Sequence, residues 1–405
     1  MSLTRRGLLA ATAATAAPFS ARAQRPTLKI GVLTDLAGVY QDIVGPLAVE
    51  CTRLAIADFG VSAKGFDVEI VTADHQNKPD IGASLARQWY DRDGVDIIME
   101  GGSSGVALAV AAVAKDKNKA YINSGGATSD LTGTMCNAQT LHWTYDTYML
   151  AKSTGGAMVK AGGDSWFFIT ADYAFGHALT RDVGSFVEQG GGKVLGKVAT
   201  PFPGTTDFSA FLLQAQASGA KVIGLANAGA DTINCIKQAR EFGIKATLGG
   251  LLVFLSDVHS LGLEVCNGLV LTESFYWDLN DRTRAFSERL KAKSPARRAG
   301  MAQAGCYSSA LHYLKVANDV GVGKFKAAGG ADVIEMLKKM PTDDDVFGAG
   351  SIRPDGRAIH PSYLFQVKKP SESKGPWDYY KLLSTTPTDQ AFRPIADGRC
   401  PLIKA

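Results

Sequence analysis

The chain reads as an α/β protein of two Rossmann-like lobes, each with a parallel-sheet core, joined by a multi-crossing hinge. Three observations predict this. A length of 405 residues is too great for one core and suits two domains of ordinary size. From residue 27 short apolar runs alternate with amphipathic stretches, the βαβ pattern of a parallel sheet covered on both faces. After Tyr145 the same alternation starts again and runs for a similar length.

Taken in order, residues 1–23 stand outside this pattern. Thr4-Arg5-Arg6-Gly7-Leu8-Leu9, a weakly apolar Ala/Thr stretch and Ala21-Arg22-Ala23 read as an export signal of twin-arginine type, cleaved near Ala23. No Cys follows the cleavage site, which argues against a lipid anchor, and no later run is long and apolar enough to span a membrane. The expected location is the periplasm. Taking Arg5, Arg6 and Arg22 from 43 basic residues leaves 40 against 39 acidic ones, so the apparent basicity belongs largely to the leader. The remaining basic residues are scattered, and no nucleic-acid partner is expected.

The first lobe opens with the strand TLKIGVLT (27–34) and a helix around 43–59. FDVEIVTAD (66–74), a helix near 80–92, VDIIM, a helix from 104, AYIN and LHWTY follow. The second lobe runs from a helix near 147–161 through SWFFIT, a helix near 177–190, GKVLGKVAT, a helix near 208–218, AKVIGLA and a helix over about 230–242. A strand near 246–250 and GLVLTES (268–274) complete it. Three helices then lack strands of their own, and the first lobe is their natural host, whereas SYLFQVKK (362–369) is assigned to the second. The predicted lobes are 26–145 plus 278–355 and 146–277 plus 356–385, with 386–405 as a proline-bearing tail. Crossings near 143–147, 274–279 and 350–357 make a hinge, and a cleft between hinged lobes is a preferred ligand site.

Six cysteines suit an oxidising compartment. Cys51, Cys235 and Cys306 lie in apolar helical patterns and read as buried thiols. Cys136 in a polar loop and Cys400 in a proline-flanked tail are the candidate disulfide, which would staple the C-terminus. The sequence leaves the pairing of Cys235 with Cys266 open.

The chemistry gathers where strands end. GGSSG (101–105) and GGATS (125–129) each follow an apolar strand with small residues, hydroxyls and backbone N–H groups, and helix N-termini there suit anions. Tyr40, Asp172, Tyr173, Phe175, Asn227, Ala228, Leu252, Phe254, Glu273, Tyr276 and Trp277 also follow strands. Together they predict a pocket with hydroxyl and N–H donors on one wall and aromatic rings on the other. GGSSG also matches G-x-S-x-G, with Ser103 as nucleophile of a secreted serine hydrolase. That rival needs a later acid and His. His259, His312 and His360 follow, but His312 lies in a helical pattern and His360 in a turn, and no HGGG-type segment precedes. No close His pair or C-x-x-C suggests a metal, and no phosphate-binding glycine motif suggests a nucleotide cofactor, so none is expected.

Over residues 26–370 the chain resembles the periplasmic solute-binding proteins of ABC transporters, branched-chain amino-acid (Leu/Ile/Val) type. The resemblance rests on IGVLTDLAG…Y, the Ser-Ser turn, GGATSDLT, ITADYAFG, TTDFSAFL and IGLANAGADT with KQAREFG. It implies a type I periplasmic binding fold, no catalysis, a monomer, a small carboxylate ligand and an inner-membrane ABC permease as partner. It further implies that Ser103, Ser104, Gly126, Ala127 and Thr128 hold the ligand carboxylate, while Tyr173 or Phe175 closes the cleft with Asn227 nearby. Amino-acid binders of the family place an acidic residue after the strand near 246–250 to pair with the ligand ammonium. Here Leu252 and Phe254 stand there. An ammonium without a counter-charge is costly to bury, so an apolar or aromatic acid such as a benzoate, a phenylpropenoate or an aryl keto acid is expected unless Asp172 or Glu273 supplies the charge. An amino-acid ligand and a ligand-sensing partner of a receptor are the alternatives within this fold.

Overall fold

The computed structural model describes residues 25–404, so the expected export signal lies outside the described residues. The first sheet has the order β2-β1-β3-β4-β5, all parallel. Its strands are β1 (Thr27–Thr34), β2 (Asp67–Asp74), β3 (Ile97–Glu100), β4 (Ala120–Asn123) and β5 (Thr140–His142). Every residue of β3, β4 and β5 is buried, as expected for parallel strands covered on both faces, whereas the edge strand β2 alternates between exposed and half-buried. Helices α1 (Gly45–Phe59), α2 (Pro79–Asp91) and α3 (Ser104–Lys117) connect these strands. The α1 helix starts on a Pro in its first turn and stops at Gly60 in the left-handed conformation.

Short helical pieces α4 (Thr147–Leu150) and α5 (Gly156–Lys160) flank a π-helical turn at Ala151–Gly155, so the helix expected over 147–161 is continuous but locally widened. The second sheet has the order β7-β6-β8-β9, again parallel. It comprises β6 (Ser165–Ala171), β7 (Lys193–Thr200), β8 (Val222–Ala226) and β9 (Thr247–Gly250), with α6 (Ala174–Gln189), α7 (Ser209–Ala217) and α8 (Ala230–Glu241) between them. Both sheets begin at an inner strand, step outward once and then return past the start. Each therefore has a switch point at the carboxyl ends of its first and third strands, where ligands of open α/β sheets sit.

After α9 (Leu255–Leu261) and α10 (Leu263–Cys266) the expected pattern breaks. GLVLTES does supply a strand, β10 (Val270–Glu273), but it does not extend the parallel sheet. It pairs antiparallel with β13 (Ser362–Val367), which pairs antiparallel with β14 (Tyr380–Thr386). Helices α11 (Asp281–Lys291), α12 (Met301–Val320), α13 (Val322–Ala327) and α14 (Gly330–Lys339) follow β10. The α12 helix packs along α1, and α14 against β4, on the first lobe. A small hairpin of β11 (Ser351–Ile352) and β12 (Ala358–Ile359) leads back.

The hinge strands are tied by Arg357, whose fully buried guanidinium donates to the carbonyls of Trp143 at 2.9 Å and Tyr145 at 3.2 Å and lies over the Phe392 ring. Asp146 is 3.6 Å away and compensates the charge. The tail docks beside it. Cys136 and Cys400 are joined with a Cα–Cα separation of 5.6 Å, and Arg393 donates to the carbonyl of Ser129 at 2.8 Å. Cys51, Cys235, Cys266 and Cys306 are buried free thiols, so Cys235 and Cys266 do not pair.

Candidate functional site

A cavity of about 240 Å³ lies between the two switch points. Tyr40 and Ile43 line it from the loop after β1, Gly102 and Ser104 from that after β3, and Gly125 and Ala127 from that after β4. Tyr145 comes from beyond β5. The second lobe contributes Tyr173 and Phe175 after β6, Ala228 after β8, and Leu252 and Phe254 after β9. None of these lining residues carries a charge.

The two turns form one cradle. Glu100, Gly101 and Gly102 have φ of +77°, +118° and +32°, a sharp reversal that brings the start of α3 to the cavity. Ser103 is the extended residue before that helix, with φ −122°. The hydroxyl of Ser104 accepts from the N–H groups of Ala127 at 3.1 Å and Thr128 at 3.0 Å. The N–H of Gly126 donates to Oδ1 of Asn123 at 3.0 Å. The second turn's N–H groups are thus already paired within the protein and do not point at the cavity, contrary to the expected role of Gly126, Ala127 and Thr128. Their effect is transmitted through Ser104. With both acceptor sites taken, its hydroxyl has only its proton left to offer. Ser103 is buried, does not line the cavity, and its Oγ has no partner.

Beneath the cradle sits Glu100, fully buried. Its Oε1 accepts from the N–H of Gly102 at 2.6 Å and its Oε2 from the Cys306 thiol at 3.0 Å. Burial pushes its carboxyl up to about 7, against the opposing pull of the Cys306 and Gly102 bonds. A side chain at Gly125 would collide with Oε1, so this one carboxyl sets the height of both turns. His75 lies under Gly102. Its Nδ1 accepts from the N–H of Asn77 at 3.0 Å, and burial holds the ring down at about 4, hence neutral.

Aromatic rings form the opposite wall and join the lobes. Tyr173 stacks on Phe202 with centroids 4.1 Å apart, and Phe202 stacks on Tyr40 at 5.5 Å. The hydroxyls of Tyr40 and Tyr173 are 2.6 Å apart across the cleft. Burial raises both phenols well above their ordinary range, so both keep their protons. At the rim, Asp182 accepts from Ser129 at 2.8 Å and from Thr147 at 2.6 Å, while Arg181 reaches Asp130 at 3.1 Å. The lobes are closed on each other.

Several expected site residues are elsewhere. Asp172 points to solvent and pairs with His177 at 2.9 Å, because Tyr173 takes the position facing inward before α6. Asn227 turns back into its own lobe, accepting from Thr232 at 2.7 Å and donating to the Cys235 sulfur at 3.3 Å. Glu273 is fully buried on β10, opposite Tyr363, with neither oxygen hydrogen-bonded, and it does not line the cavity. Tyr276 and Trp277 donate to the carbonyl of Trp377 in the second lobe. Thr128 caps the short 3-10 turn that follows it. Tyr145, Ile43 and Phe202 are the residues missed. Tyr145 ends the segment LHWTY, just past β5, and obeys the same rule as the others, whereas Phe202 follows an outer strand and nothing in its sequence marks it.

The hydrolase rival fails on geometry. His259 bonds to Tyr379, His312 to the carbonyl of Leu337, and His360 to that of Pro361, and none reaches Ser103. Among the described residues no group of three or more His, Cys, Asp or Glu is placed to hold a metal ion, and no helix is long and apolar enough to cross a membrane.

A profile of periplasmic binding proteins matches residues 27–375. The chain belongs to this family. A periplasmic binding protein from Burkholderia mallei is 49% identical over 93% of this chain and 99% of its own, with a TM-score of 0.89. A branched-chain amino-acid ABC transporter periplasmic ligand-binding protein from Burkholderia xenovorans is 41% identical over 93% and 99%, with a TM-score of 0.80. A solute-binding protein of an ABC transporter from R. palustris, in complex with benzoate, shares the fold at 18% identity over 89% and 97%, with a TM-score of 0.78. Comparison with curated proteins gives no match. This periplasmic binding protein is the non-enzymatic solute-binding part of an ABC transporter, acting on a small ligand together with a permease. Its fold is the type I periplasmic binding fold.

Proposed function

We propose that the protein binds a small aromatic or apolar carboxylic acid in the interlobe cavity and presents it, as a monomer, to the permease. The carrying observation is the Ser104 hydroxyl. It accepts two backbone N–H bonds and is left as an obligate donor into a cavity otherwise lined by rings and aliphatic groups. A donor polarised in this way, at the start of the 14-residue helix α3, suits a carboxylate oxygen. The remaining lining suits a ring. An α-ammonium beside the carboxylate would find no anionic side chain among the lining residues. The benzoate complex of the R. palustris protein shows that the fold accepts such a ligand. Branched-chain amino-acid binding is the second reading, favoured by the description of the B. xenovorans protein.

Calorimetric titration of the mature protein with leucine, phenylalanine, benzoate, 4-hydroxybenzoate, p-coumarate and phenylpyruvate tests the proposal, alongside native mass spectrometry of ligand that co-purifies. Micromolar binding of an aromatic acid is expected. Micromolar leucine binding with no response to the acids would sink it.

A further inference from the structure

The carboxylate cradle is built on a carboxyl group of the protein's own. Glu100 ends β3 and is fully buried between the two turns. Its Oε1 takes the N–H of Gly102, a cavity-lining residue, at 2.6 Å. The same oxygen lies where a side chain at Gly125, another lining residue, would have to go. One layer of backbone therefore separates Glu100 from the cavity, and a donor beside the start of α3 is spent on this acid. The groups that face it carry no compensating charge. From α12 the Cys306 thiol, kept protonated by burial, donates to Oε2 at 3.0 Å. From β4 the Tyr121 hydroxyl donates to the Glu100 carbonyl at 2.8 Å, and from beyond β5 that of Tyr145 donates to the Gly125 carbonyl at 2.7 Å. Burial keeps both phenols protonated. From the loop after β2 comes neutral His75, linked through Asn77 to Asp35, whose carboxylate accepts from the N–H groups of Gly38 and Tyr40. The α1 side offers Val44 and the buried Cys51 thiol. Among the described residues Glu100 has no ion-pair partner.

Two carboxylates on opposite faces of one thin wall, with no cation between them, strongly disfavour both being ionised. We infer that ligand binding is coupled to protonation of Glu100: the closing protein takes up a proton together with the ligand carboxylate, so that affinity for the acid falls as pH rises above neutral. The inference rests on the carboxylate reading of the Ser104 cradle and adds its regulation. In the free protein burial already pushes the Glu100 carboxyl up to about 7, and a second negative charge in the cradle raises it further. Below about pH 6 the group is neutral in both states, and no proton moves. Above about pH 7 binding must return a proton to Glu100, and affinity falls by up to about tenfold per pH unit until the liganded group ionises too. His75, held at about 4, stays neutral over this range. A simple carboxylic acid, ionising near about pH 4, is charged throughout.

The test is calorimetric titration of the mature protein with benzoate, 4-hydroxybenzoate and phenylpyruvate from about pH 5.5 to about pH 9, repeated near pH 8 in phosphate and in Tris, whose heats of ionisation differ. For an acid that binds, wild type is expected to take up close to one proton per ligand at about pH 8, and to bind about 10-fold or more weakly at about pH 9 than at about pH 6. Glu100→Gln cannot titrate and should flatten the profile and abolish the uptake. Where that variant folds poorly, the comparison of buffers on wild type decides alone. Asp231 in α8 and Asp257 in α9 are further buried carboxyls raised to about 7, both in the second lobe. A pH profile that survives in Glu100→Gln assigns the proton elsewhere and overturns the inference. Binding by wild type with no proton uptake and no dependence on pH overturns it as well, while the carboxylate reading stands. If none of the acids binds at any pH, the carboxylate reading itself has failed and the coupling falls with it.

Discussion

Replacing Ser104 with Ala tests the cradle most directly, because two separate consequences follow from one atom. In the free protein Oγ accepts from the N–H groups of Ala127 and Thr128. Both residues are buried, and deleting the oxygen leaves two donors unpaired. At about 1–2 kcal/mol each, the loss of stability should be about 2–4 kcal/mol. On the proposed reading the same hydroxyl donates to a ligand carboxylate in the complex. A hydrogen bond to a charged group contributes about 1.5–3 kcal/mol, so affinity should fall by about 10- to 150-fold. The assay is thermal and denaturant melting for the first effect and calorimetric titration with the best-binding acid for the second. Ser104→Thr keeps the oxygen and should restore most of both. A folded alanine variant that binds within about 3-fold of wild type would refute the reasoning, since the donor would then have no ligand oxygen to serve.

Other expectations concern parts that hold this cradle. Under denaturing, non-reducing conditions the mature protein should show four titratable thiols and six after reduction, because Cys136 and Cys400 are bonded and the other four are free. Cys136→Ser should lower stability by up to about 5 kcal/mol, the chain-entropy value for closing a loop of this size, measured by denaturant melting. Glu100→Gln should raise stability relative to wild type by an amount that grows with pH. The Glu100 carboxyl is raised to about 7 by burial, so its neutral form costs nothing below about pH 4.5, and wild type loses on the order of 3 kcal/mol as pH climbs from there through 7. Comparing variant with wild type from pH 4.5 to 8 cancels the opposite trend of His75, His312 and His360, held at about 4; a pH-independent difference would contradict the assignment. Asp182→Ala removes the acceptor that Ser129 and Thr147 share, and should weaken ligand binding by about 3- to 10-fold without changing which acid is preferred; small-angle scattering of the unliganded variant should show a more open molecule.

Much of this architecture is legible in the sequence because parallel strands buried on both faces write continuous apolar runs. AYIN is β4 residue for residue, and TLKIGVLT is β1. The rule that ligands sit at strand carboxyl ends places Tyr40, Ser104, Ala127, Tyr173, Phe175, Ala228 and Phe254 at the cavity. It fails where orientation decides. Asp172 and Tyr173 are neighbours, and only the backbone at the start of α6 sends one outward and the other in. It fails again for Glu273, because a strand's position in the chain does not reveal its partner. GLVLTES has the apolar run of a fifth parallel strand, yet β13 and β14 capture it into an antiparallel sheet, and β14 itself, KLLSTT after two tyrosines, alternates too weakly to be noticed. The hydrogen bonds that silence the N–H groups of Gly126, Ala127 and Thr128 depend on Asn123 and Ser104 meeting across a turn, which no local pattern encodes.

The same half-fold, used twice, explains why a cavity with no charged lining can still be selective. Each sheet turns back on itself at its first and third strands, and each presents three loops at that point. The first lobe fills its loops with small residues whose backbone and hydroxyl groups are prearranged by Glu100, Asn123 and Ser104. The second fills the equivalent loops with the rings of Tyr173, Phe175 and Phe254 and the aliphatic Ala228 and Leu252. Neither face alone excludes water from a ligand. Contact between the hydroxyls of Tyr40 and Tyr173 requires both lobes, and the Asp182 bonds at the rim require them as well. On the proposed reading, a ligand that lacks a carboxylate leaves the Ser104 donor unpaired in a desolvated space, and one too long for the space between the lobes keeps the tyrosines apart. Closure therefore reads both ends of the ligand at once. The permease then needs only to recognise the closed arrangement of the lobes to know that an acceptable ligand is inside.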